Sequence, residues 1–278
     1  MKKQNRNKDL TLIILVILIL LTLFLLKNKK LAILTYPEQE ALSIESELQN
    51  LPEEKPKDES LKIPIFIYHS VRPQPSKHWN GYEVTPELFE KELKYLKDNG
   101  YRTITLDELR DDLLAGEIGN TKPVVLTFDD GWQNQYKYAF PLLKKYNMIA
   151  TFYIYTNPIG KKHFLNWDEI KEMNNFGMTI ADHTLSHPYL KKISLEEVKR
   201  QVTESKKIIE EHLGKPVLHF ASPFGYTDPK IIKIIEETGY TTARTTYKGT
   251  YHSKDDLFRL TGILATDNFD DFLKELEK

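Results

Sequence analysis

The chain has 278 residues, of which 28% are charged and 40% hydrophobic, and its formal net charge is −1. This composition fits a globular protein of one large or two small domains, and the nearly balanced charge gives no sign of a general nucleic-acid binder. The sequence contains no cysteine, which excludes disulfides, thiolate metal sites, cysteine nucleophiles and a lipid-modified lipoprotein cysteine.

The first element in chain order is an apolar run from Leu10 to Leu26, interrupted only by Thr11 and Thr22. As a helix this run would reach roughly 25 Å, slightly short of a hydrocarbon core but able to span it with flanking lysines. The basic segment 1–9 precedes it, and no small-x-small cleavage site follows closely. We therefore predict a single-pass transmembrane anchor that leaves the rest of the chain outside the cell. The alternative is a cleaved signal sequence and a secreted protein.

Residues 27–60 form a polar stretch that contains prolines and glutamates but no sustained apolar face. Such a composition is typical of a stalk or linker. One short helix is expected within it, around residues 38–49. We therefore place the folded domain at residues 61–278.

Short β-rich runs alternate with helical patterns throughout this domain. One helix is expected with Thr85 as its cap, Pro86 in its first turn and Gly100 after its end. Another is expected with a capping box of Ser194 and Glu197, and with Gly214 closing it. The alternation implies a mostly parallel sheet, either a closed or nearly closed (β/α) barrel, which we favour, or an open doubly wound sheet. The expected strands are 63–68, 101–105, 123–128, 149–155, 178–182, 217–221, 241–246 and 258–263.

Two consecutive acids, Asp129 and Asp130, follow the apolar strand PVVLTF and precede Gly131. In a barrel of this kind, functional groups gather at the carboxyl ends of the strands. Adjacent carboxylates repel each other and are costly to desolvate. One acid could cap a helix while the other pairs with a basic residue, but a bound metal ion would relieve the repulsion better.

Nitrogen ligands follow the fifth expected strand in the stretch MTIADHTLSHPYL, where His183 and His187 lie four residues apart. A one-turn helical arrangement would place both imidazoles on one side. Together with a carboxylate from another strand end, they would form a two-histidine, one-carboxylate site of the catalytic type. Asp182 is a second candidate, either as a ligand or as a partner that orients one.

The sixth expected strand ends in HFASPFGYTDP, in which Pro223 and Phe224 begin a turn that could shape a groove. TFDDG, HTLSH and SPFG, in this order and at this separation, resemble the motifs of the polysaccharide deacetylases of carbohydrate esterase family 4, the NodB-homology domain. The resemblance covers essentially residues 61–278. It implies a distorted (β/α) barrel that removes acetyl groups from sugar polymers with the help of a divalent metal ion, usually Zn²⁺.

The resemblance also implies roles for individual residues. Asp129 matches the general base of the family. Pro223 and Phe224 match the groove wall, where a backbone N–H helps to hold the oxyanion. The positions that match the metal ligands are Asp130, His183 and His187.

The chain departs from the family pattern at two positions. Ala221 stands where the family motif usually carries an arginine that pairs with the base. Arg259 and Arg244, in late expected strands, are candidates to replace it, and we favour Arg259. The C-terminal region also lacks the histidine that usually serves as catalytic acid in a Leu-x-His element.

His69 offers a replacement for that acid. The stretch Ile67-Tyr68-His69 has the form of the missing element, but at the N-terminal edge of the domain. In a closed barrel the first and last strands are neighbours, so moving one strand along the chain would leave the histidine in place. This permuted arrangement resembles the biofilm-type poly-β-1,6-N-acetylglucosamine deacetylases, and His69 is expected to be the catalytic acid.

The expected activity is therefore metal-dependent removal of N-acetyl groups from an extracellular N-acetylglucosamine polymer by a monomer tethered to the membrane. Peptidoglycan or chitin oligomers are alternative substrates, because those deacetylases use the same core. A catalytically silent glycan-binding domain is the remaining alternative, kept open by the alanine at position 221.

Overall fold

The computed structural model describes residues 38–51, 59–74 and 82–277. Residues from Leu42 to Lys278 belong to one compact unit, distinct from Met1–Ala41. The predicted anchor at 10–26 lies outside the described residues. Within the described ranges, no helix is both long and apolar enough to cross a membrane. The short helix expected around 38–49 is present as Glu38–Gln49, which we call α1.

The domain is built around a parallel sheet that curls into a half-barrel. The strands of this sheet are β2 (Ile65–Tyr68), β5 (Tyr101–Thr103), β6 (Lys122–Phe128), β7 (Thr151–Ile154), β8 (Thr179–Asp182), β9 (His219–Ala221), β10 (Thr242–Arg244) and β12 (Ile263–Leu264). Their order along the sheet is β10-β9-β8-β7-β6-β2-β12, and β5 pairs with the first half of β6.

Two small two-stranded sheets lie outside this main sheet. One is antiparallel and one is parallel. They consist of β1 (Leu61–Lys62) with β11 (Tyr251–His252), and of β3 (Ser70–Val71) with β4 (Glu83–Val84).

Helices follow most strands of the main sheet, as the alternating pattern predicts. Between β6 and β7, a π-helical turn at Gln135–Ala139 precedes the α-helix. The α-helices after α1 are α2 (Pro86–Asp98), α3 (Leu106–Ala115), α4 (Phe140–Tyr146), α5 (Trp167–Phe176), α6 (Leu195–Leu213), α7 (Pro229–Glu237) and α8 (Phe269–Glu277).

The predicted helix caps are largely confirmed. Thr85 accepts a hydrogen bond from the Leu88 amide at the start of α2, and Gly214 ends α6 in the left-handed conformation that suits glycine. Ser194 caps α6 by accepting from the Glu197 amide. The predicted capping box is wrong in its second hydrogen bond, from the Ser194 amide to the Glu197 side chain. That side chain instead accepts hydrogen bonds from Arg200 and Gln201 further along the helix.

The barrel is not closed by a continuous ladder of hydrogen bonds. β12 pairs in parallel with β2, so the last and first strands of the barrel are neighbours, as expected. Between β10 and β12, however, no continuous strand forms at the predicted 258–263. An isolated bridge joins Arg244 to Leu260, and single backbone hydrogen bonds run from the Ala243 amide to the Leu257 carbonyl and from the Gly262 amide to the Tyr247 carbonyl.

A side chain from α1 lies at this opening. Gln49 donates from its amide nitrogen to the carbonyls of Thr246 (2.6 Å) and Gly262 (3.0 Å), and its amide oxygen accepts from the Leu264 amide at 3.3 Å. The side-chain amide thus imitates a peptide group between the two edges of the sheet. The end of the segment that the sequence pattern assigned to a stalk is therefore attached to the barrel.

Successive side chains of each strand face opposite sides of the sheet. On β2, Phe66 and Tyr68 belong to the large core between sheet and helices. Ile65 belongs to a separate inner cluster with Val125 and other strand residues. The residue that follows Tyr68 therefore continues the inner face, and the same alternation applies to the first residue after each neighbouring strand.

Glu92 is a carboxyl group buried in the outer core. Its side chain lies on α2 and is only 1% exposed, and its Oε2 accepts a hydrogen bond from the Tyr68 hydroxyl at 2.9 Å. Burial raises the pKa of Glu92 to about 8; the Tyr68 hydrogen bond opposes this shift, and the negative charge of Asp267 adds to it. Near neutral pH, Glu92 is therefore held largely in its protonated form.

We predict that Glu92→Gln changes how stability depends on pH. Because the folded-state pKa lies above the unfolded one, the wild type loses stability as the pH rises from about 4.5 to about 8, by about 1.4 kcal/mol per pH unit within that window. The neutral glutamine keeps the Tyr68 bond and avoids this loss. The variant should match the wild type near pH 4.5 and exceed its stability above pH 8, as measured by urea unfolding. The exposed Glu87→Gln on the same helix is the control, and identical pH profiles for Glu92→Gln and wild type would contradict the prediction.

Candidate active site

The inner-face residues at the carboxyl ends of β2 and β6 lie at the same level. Tyr68 and Phe128 are register partners on these neighbouring parallel strands, so His69 and Asp129, each the next residue, emerge side by side. The Asp129 amide donates to the Tyr68 carbonyl at 2.9 Å, which extends the pairing past the strands. The two predicted catalytic residues are therefore brought together, although they are far apart in the chain.

Asp129 is buried against an arginine. Its side chain is 2% exposed, that of Arg244 is 1% exposed, and one terminal nitrogen of the guanidinium donates to both carboxylate oxygens. Burial alone would raise the pKa of Asp129, but the positive charge of Arg244 and its hydrogen bond outweigh burial and lower it. Asp129 is thus held as a carboxylate in a water-poor site, the state that a general base requires.

The preference for Arg259 as the partner of Asp129 is wrong, and the other candidate, Arg244, makes the ion pair. Arg259 is exposed at the surface, whereas Asp129 lies inside the barrel. Arg244 is the direct register partner of Ala221 across the β9–β10 pair. The arginine missing at position 221 is therefore replaced from the adjacent strand at the same level of the barrel.

The predicted metal ligands converge on one point. The Nε2 atoms of His183 and His187 are 3.1 Å apart, and Asp130 Oδ1 lies 3.7 Å from the first and 3.4 Å from the second. Among the described residues, these three form the one group of metal-type side chains close enough to share an ion.

The donor set fits a divalent metal ion. Ligand atoms bound at about 2.0–2.1 Å in a tetrahedral site lie roughly 3.3 Å from one another, close to the separations found here. His183 Nδ1 is 2.7 Å from the Ala221 carbonyl, which can only accept, so Nδ1 carries the proton and Nε2 presents its lone pair to the cluster. Burial, with the nearby His187, lowers the pKa of His183 to about 4, so the ring is in the neutral form that binds metal.

Asp182 faces away from this cluster, so the suggestion that it could be a ligand is wrong. It is the last residue of β8 and points into the outer core, where it accepts hydrogen bonds from the Thr184 amide at 2.7 Å, from Ser205 at 2.6 Å and from the Tyr240 hydroxyl. Adjacent strand residues point to opposite faces, which separates Asp182 from His183. Asp182 instead supports the loop that leads to His187.

That loop is not the helical turn that the spacing of the two histidines suggested. Thr184 and His187 both have left-handed backbone conformations, with φ of 75° and 55°, and the His187 amide donates to Thr184 Oγ1 at 3.0 Å. Asp130 (φ 74°) and Phe224 (φ 58°) also lie in this region, which is costly for residues other than glycine. The imidazoles thus become neighbours through a constrained loop.

Pro223 and Phe224 lie beside the ligands, in the tight turn Pro223–Gly225. The Phe224 ring packs edge-on against His187, with ring centres 4.6 Å apart. Gly225 is required there, because a Cβ would lie 2.4 Å from the backbone nitrogen of Thr246. This placement is consistent with a groove wall, and the oxyanion role of a backbone N–H stays a prediction.

Two residues that contact the site were not predicted from the sequence. Gln135 is fully buried at the start of the π-helical turn, and its amide nitrogen donates to the backbone carbonyls of His69 (2.7 Å) and Asp129 (2.5 Å). Trp132 donates from its indole nitrogen to Asp130 Oδ2 at 3.0 Å. The position of Trp132 directly after the TFDDG motif connects it with the site, whereas no local pattern marks Gln135.

Comparison with known proteins agrees with this geometry. The family model described as polysaccharide deacetylase matches residues 117–243, a range that includes Asp129 and the three predicted ligands but not His69. YxkH of Bacillus subtilis (strain 168), a polysaccharide deacetylase candidate, is 30% identical over 81% of this chain and 78% of its own. In the solved structures, the Streptococcus pyogenes deacetylase PplD in complex with acetate matches with a TM-score of 0.74 and 30% identity, over 81% of this chain and 100% of that chain.

A relative with a defined substrate is also found. Poly-β-1,6-N-acetyl-D-glucosamine N-deacetylase of Staphylococcus aureus (strain MRSA252) is 29% identical over 178 residues. The match covers 59% of this chain and 61% of that protein.

Proposed function

Since this chain belongs to the polysaccharide deacetylase family, whose members hydrolyse amide bonds, we propose that it removes N-acetyl groups from an extracellular N-acetylglucosamine polymer. Poly-β-1,6-N-acetyl-D-glucosamine is the first candidate. The observation that carries the proposal is the pairing of His69 with Asp129 at neighbouring strand ends, beside a three-ligand cluster. The similarity to the S. aureus enzyme supports the choice of polymer, and the apolar run at 10–26 supports an extracellular location.

Asp129 acts as the general base in the proposed mechanism. Arg244 keeps it ionised and fixes the plane of its carboxylate, so that a remaining lone pair can take a proton from the water that attacks the acetyl carbon. The carboxylate is buried, so few other waters compete for it. The proton is thus moved to a defined atom as the new C–O bond forms.

His69 acts as the general acid. An amine is a poor leaving group unless it is protonated, so the C–N bond breaks only when a proton reaches the nitrogen. His69 emerges level with Asp129 on the adjacent strand, which supports their proposed roles as acid and base at one reacting centre. The products are acetate and a glucosamine unit.

A divalent ion bound by Asp130, His183 and His187, usually zinc in this family, would polarise the acetyl carbonyl and lower the pKa of water. The tight turn at Pro223 and Phe224, packed against His187, is proposed to form the wall against which the acetyl group rests.

Acetate release tests this proposal. The purified full-length chain is incubated with poly-β-1,6-N-acetylglucosamine, chitin oligomers and peptidoglycan, before and after treatment with a chelator and after zinc is restored. We expect release from the first polymer, loss of release on chelation and recovery with zinc. His183→Ala should lose both bound metal and activity, because it removes one of three ligands.

Each other outcome has a defined meaning. Acetate release from peptidoglycan or chitin oligomers alone would show that the substrate is that polymer and not poly-β-1,6-N-acetylglucosamine. Binding of the polymers without release of acetate would favour a silent glycan-binding domain. Stoichiometric zinc retained by His183→Ala would remove His183 from the ligand set.

A further inference from the structure

Trp132 makes a specific contact with one of the proposed metal ligands. Its indole nitrogen donates to Asp130 Oδ2 at 3.0 Å. The other carboxylate oxygen, Oδ1, faces the Nε2 atoms of His183 and His187. The two oxygens of Asp130 therefore have different surroundings: one is turned toward the ligand cluster and the other toward an N–H donor.

The indole is itself held in place by a second segment. Its ring stacks on Phe164, with centres 4.5 Å apart and planes at 23°, and the backbones of the two residues form an antiparallel bridge. The amide of Leu165 donates to the Gly131 carbonyl, and that of Gln133 donates to the His163 carbonyl, each at 2.9 Å. The donor is thus fixed by hydrogen bonds on both sides of Trp132 and by the stack.

We propose that Trp132 is a positioning residue that holds Asp130 with Oδ1 turned toward the metal site, so that the carboxylate is preorganised to bind the ion through this single oxygen. A carboxylate can bind an ion with one oxygen or with both. Rotation of Asp130 into the two-oxygen mode would break the indole hydrogen bond, which is stronger than a neutral one because the acceptor is charged. This inference rests on the proposed function, since it concerns the metal of the same site.

Binding through a single oxygen of Asp130 would leave more coordination positions of the metal open for catalysis. A site of two imidazoles and one carboxylate oxygen leaves positions open for water and for the acetyl carbonyl oxygen. A second carboxylate oxygen would occupy one of them. Trp132 therefore acts on the reaction through Asp130, without contacting the substrate itself.

Zinc affinity measured with a competing chromophoric chelator tests this inference. Trp132→Phe keeps an aromatic ring against Phe164 but removes the N–H, and partners that orient a ligand are typically worth 10–100-fold in metal affinity. We expect Trp132→Phe to weaken zinc binding by about that factor. The matched control, Phe164→Leu, removes the stack but keeps the N–H and the backbone hydrogen bonds on both sides of Trp132, so it should weaken zinc binding clearly less than Trp132→Phe does.

A second variant guards against a folding defect in Trp132→Phe. Replacing Trp132 with 3-benzothienylalanine keeps the size and stacking of indole but has sulfur in place of the N–H. It should weaken zinc binding as Trp132→Phe does, while the unfolding of the metal-free protein stays unchanged.

Two results would overturn the inference. Wild-type zinc affinity in the benzothienyl variant would show that the N–H is not needed. Equal losses in the benzothienyl variant and Phe164→Leu would show that packing, and not the hydrogen bond, orients Asp130. A wild-type protein that binds no zinc is a different failure, because it removes the proposed metal site and not the role of Trp132 within it.

Discussion

Replacing His69 with alanine is expected to lower turnover of an N-acetylated glycan by a factor on the order of 10²–10⁴, the usual contribution of general acid–base catalysis. Bound metal should stay near the wild-type amount, because His69 is not part of the ligand cluster. An ester substrate should be affected less than the amide, because its leaving alkoxide needs less help from a proton than an amine does. Acetate release from both substrates, measured on folded and metal-loaded protein, gives the comparison.

A purely structural histidine would behave differently. The variant would fold less stably, and its folded fraction would turn over both substrates at wild-type rates. His212→Ala is the matched control, because that histidine lies exposed on α6, stacked on Trp167 and outside the site. Unchanged amide turnover in His69→Ala would remove the residue from the mechanism.

Replacing Arg244 with leucine is expected to reduce the free energy of unfolding by about 3–5 kcal/mol, because it leaves the Asp129 carboxylate buried without its cation. Turnover should also fall sharply, since Asp129, the proposed base, is then neither oriented nor kept ionised. Arg244→Lys should recover only part of both quantities, because an ammonium group supplies the charge without the planar fork. Urea unfolding and acetate release measure the two effects separately.

Two further variants control this experiment. Arg259→Leu removes an exposed arginine and should change stability by no more than about 0.5 kcal/mol. The double variant Asp129→Leu with Arg244→Leu should regain much of the lost stability while staying inactive, since two apolar side chains can replace a buried ion pair. A single Arg244→Leu variant as stable as the wild type would show that the pair is not required for folding.

The sequence predicted best those features that depend on residues close together in the chain. The strand before Asp129 and the caps at Thr85 and Gly214 follow from local patterns, since periodicity, capping and left-handed glycine act within a few residues. The alternation of strand side chains is also local. It explains why Asp129 and His183 enter the barrel while Asp182 leaves it.

The partners that come from other strands could not be predicted in the same way. Arg244 reaches Asp129 because β10 lies beside β9 in a register that places Arg244 next to Ala221, and no local pattern of residues encodes that register. Gln49 bridges the barrel opening from a segment whose polar composition is typical of a linker. The contact of Gln135 with the carbonyls of His69 and Asp129 likewise depends on the assembled sheet.

The left-handed backbone at Asp130, Thr184, His187 and Phe224 bears on how far this enzyme could be made thermostable. Each such residue costs of order 1–3 kcal/mol, which together is comparable with the entire stability of a typical domain. A glycine at such a position would relieve the backbone strain, but Thr184→Gly would also remove the hydroxyl that accepts the His187 amide and so loosen the two imidazoles. Engineering for heat resistance should therefore leave these four positions unchanged and work on the helices, where gains in stability do not compete with turnover.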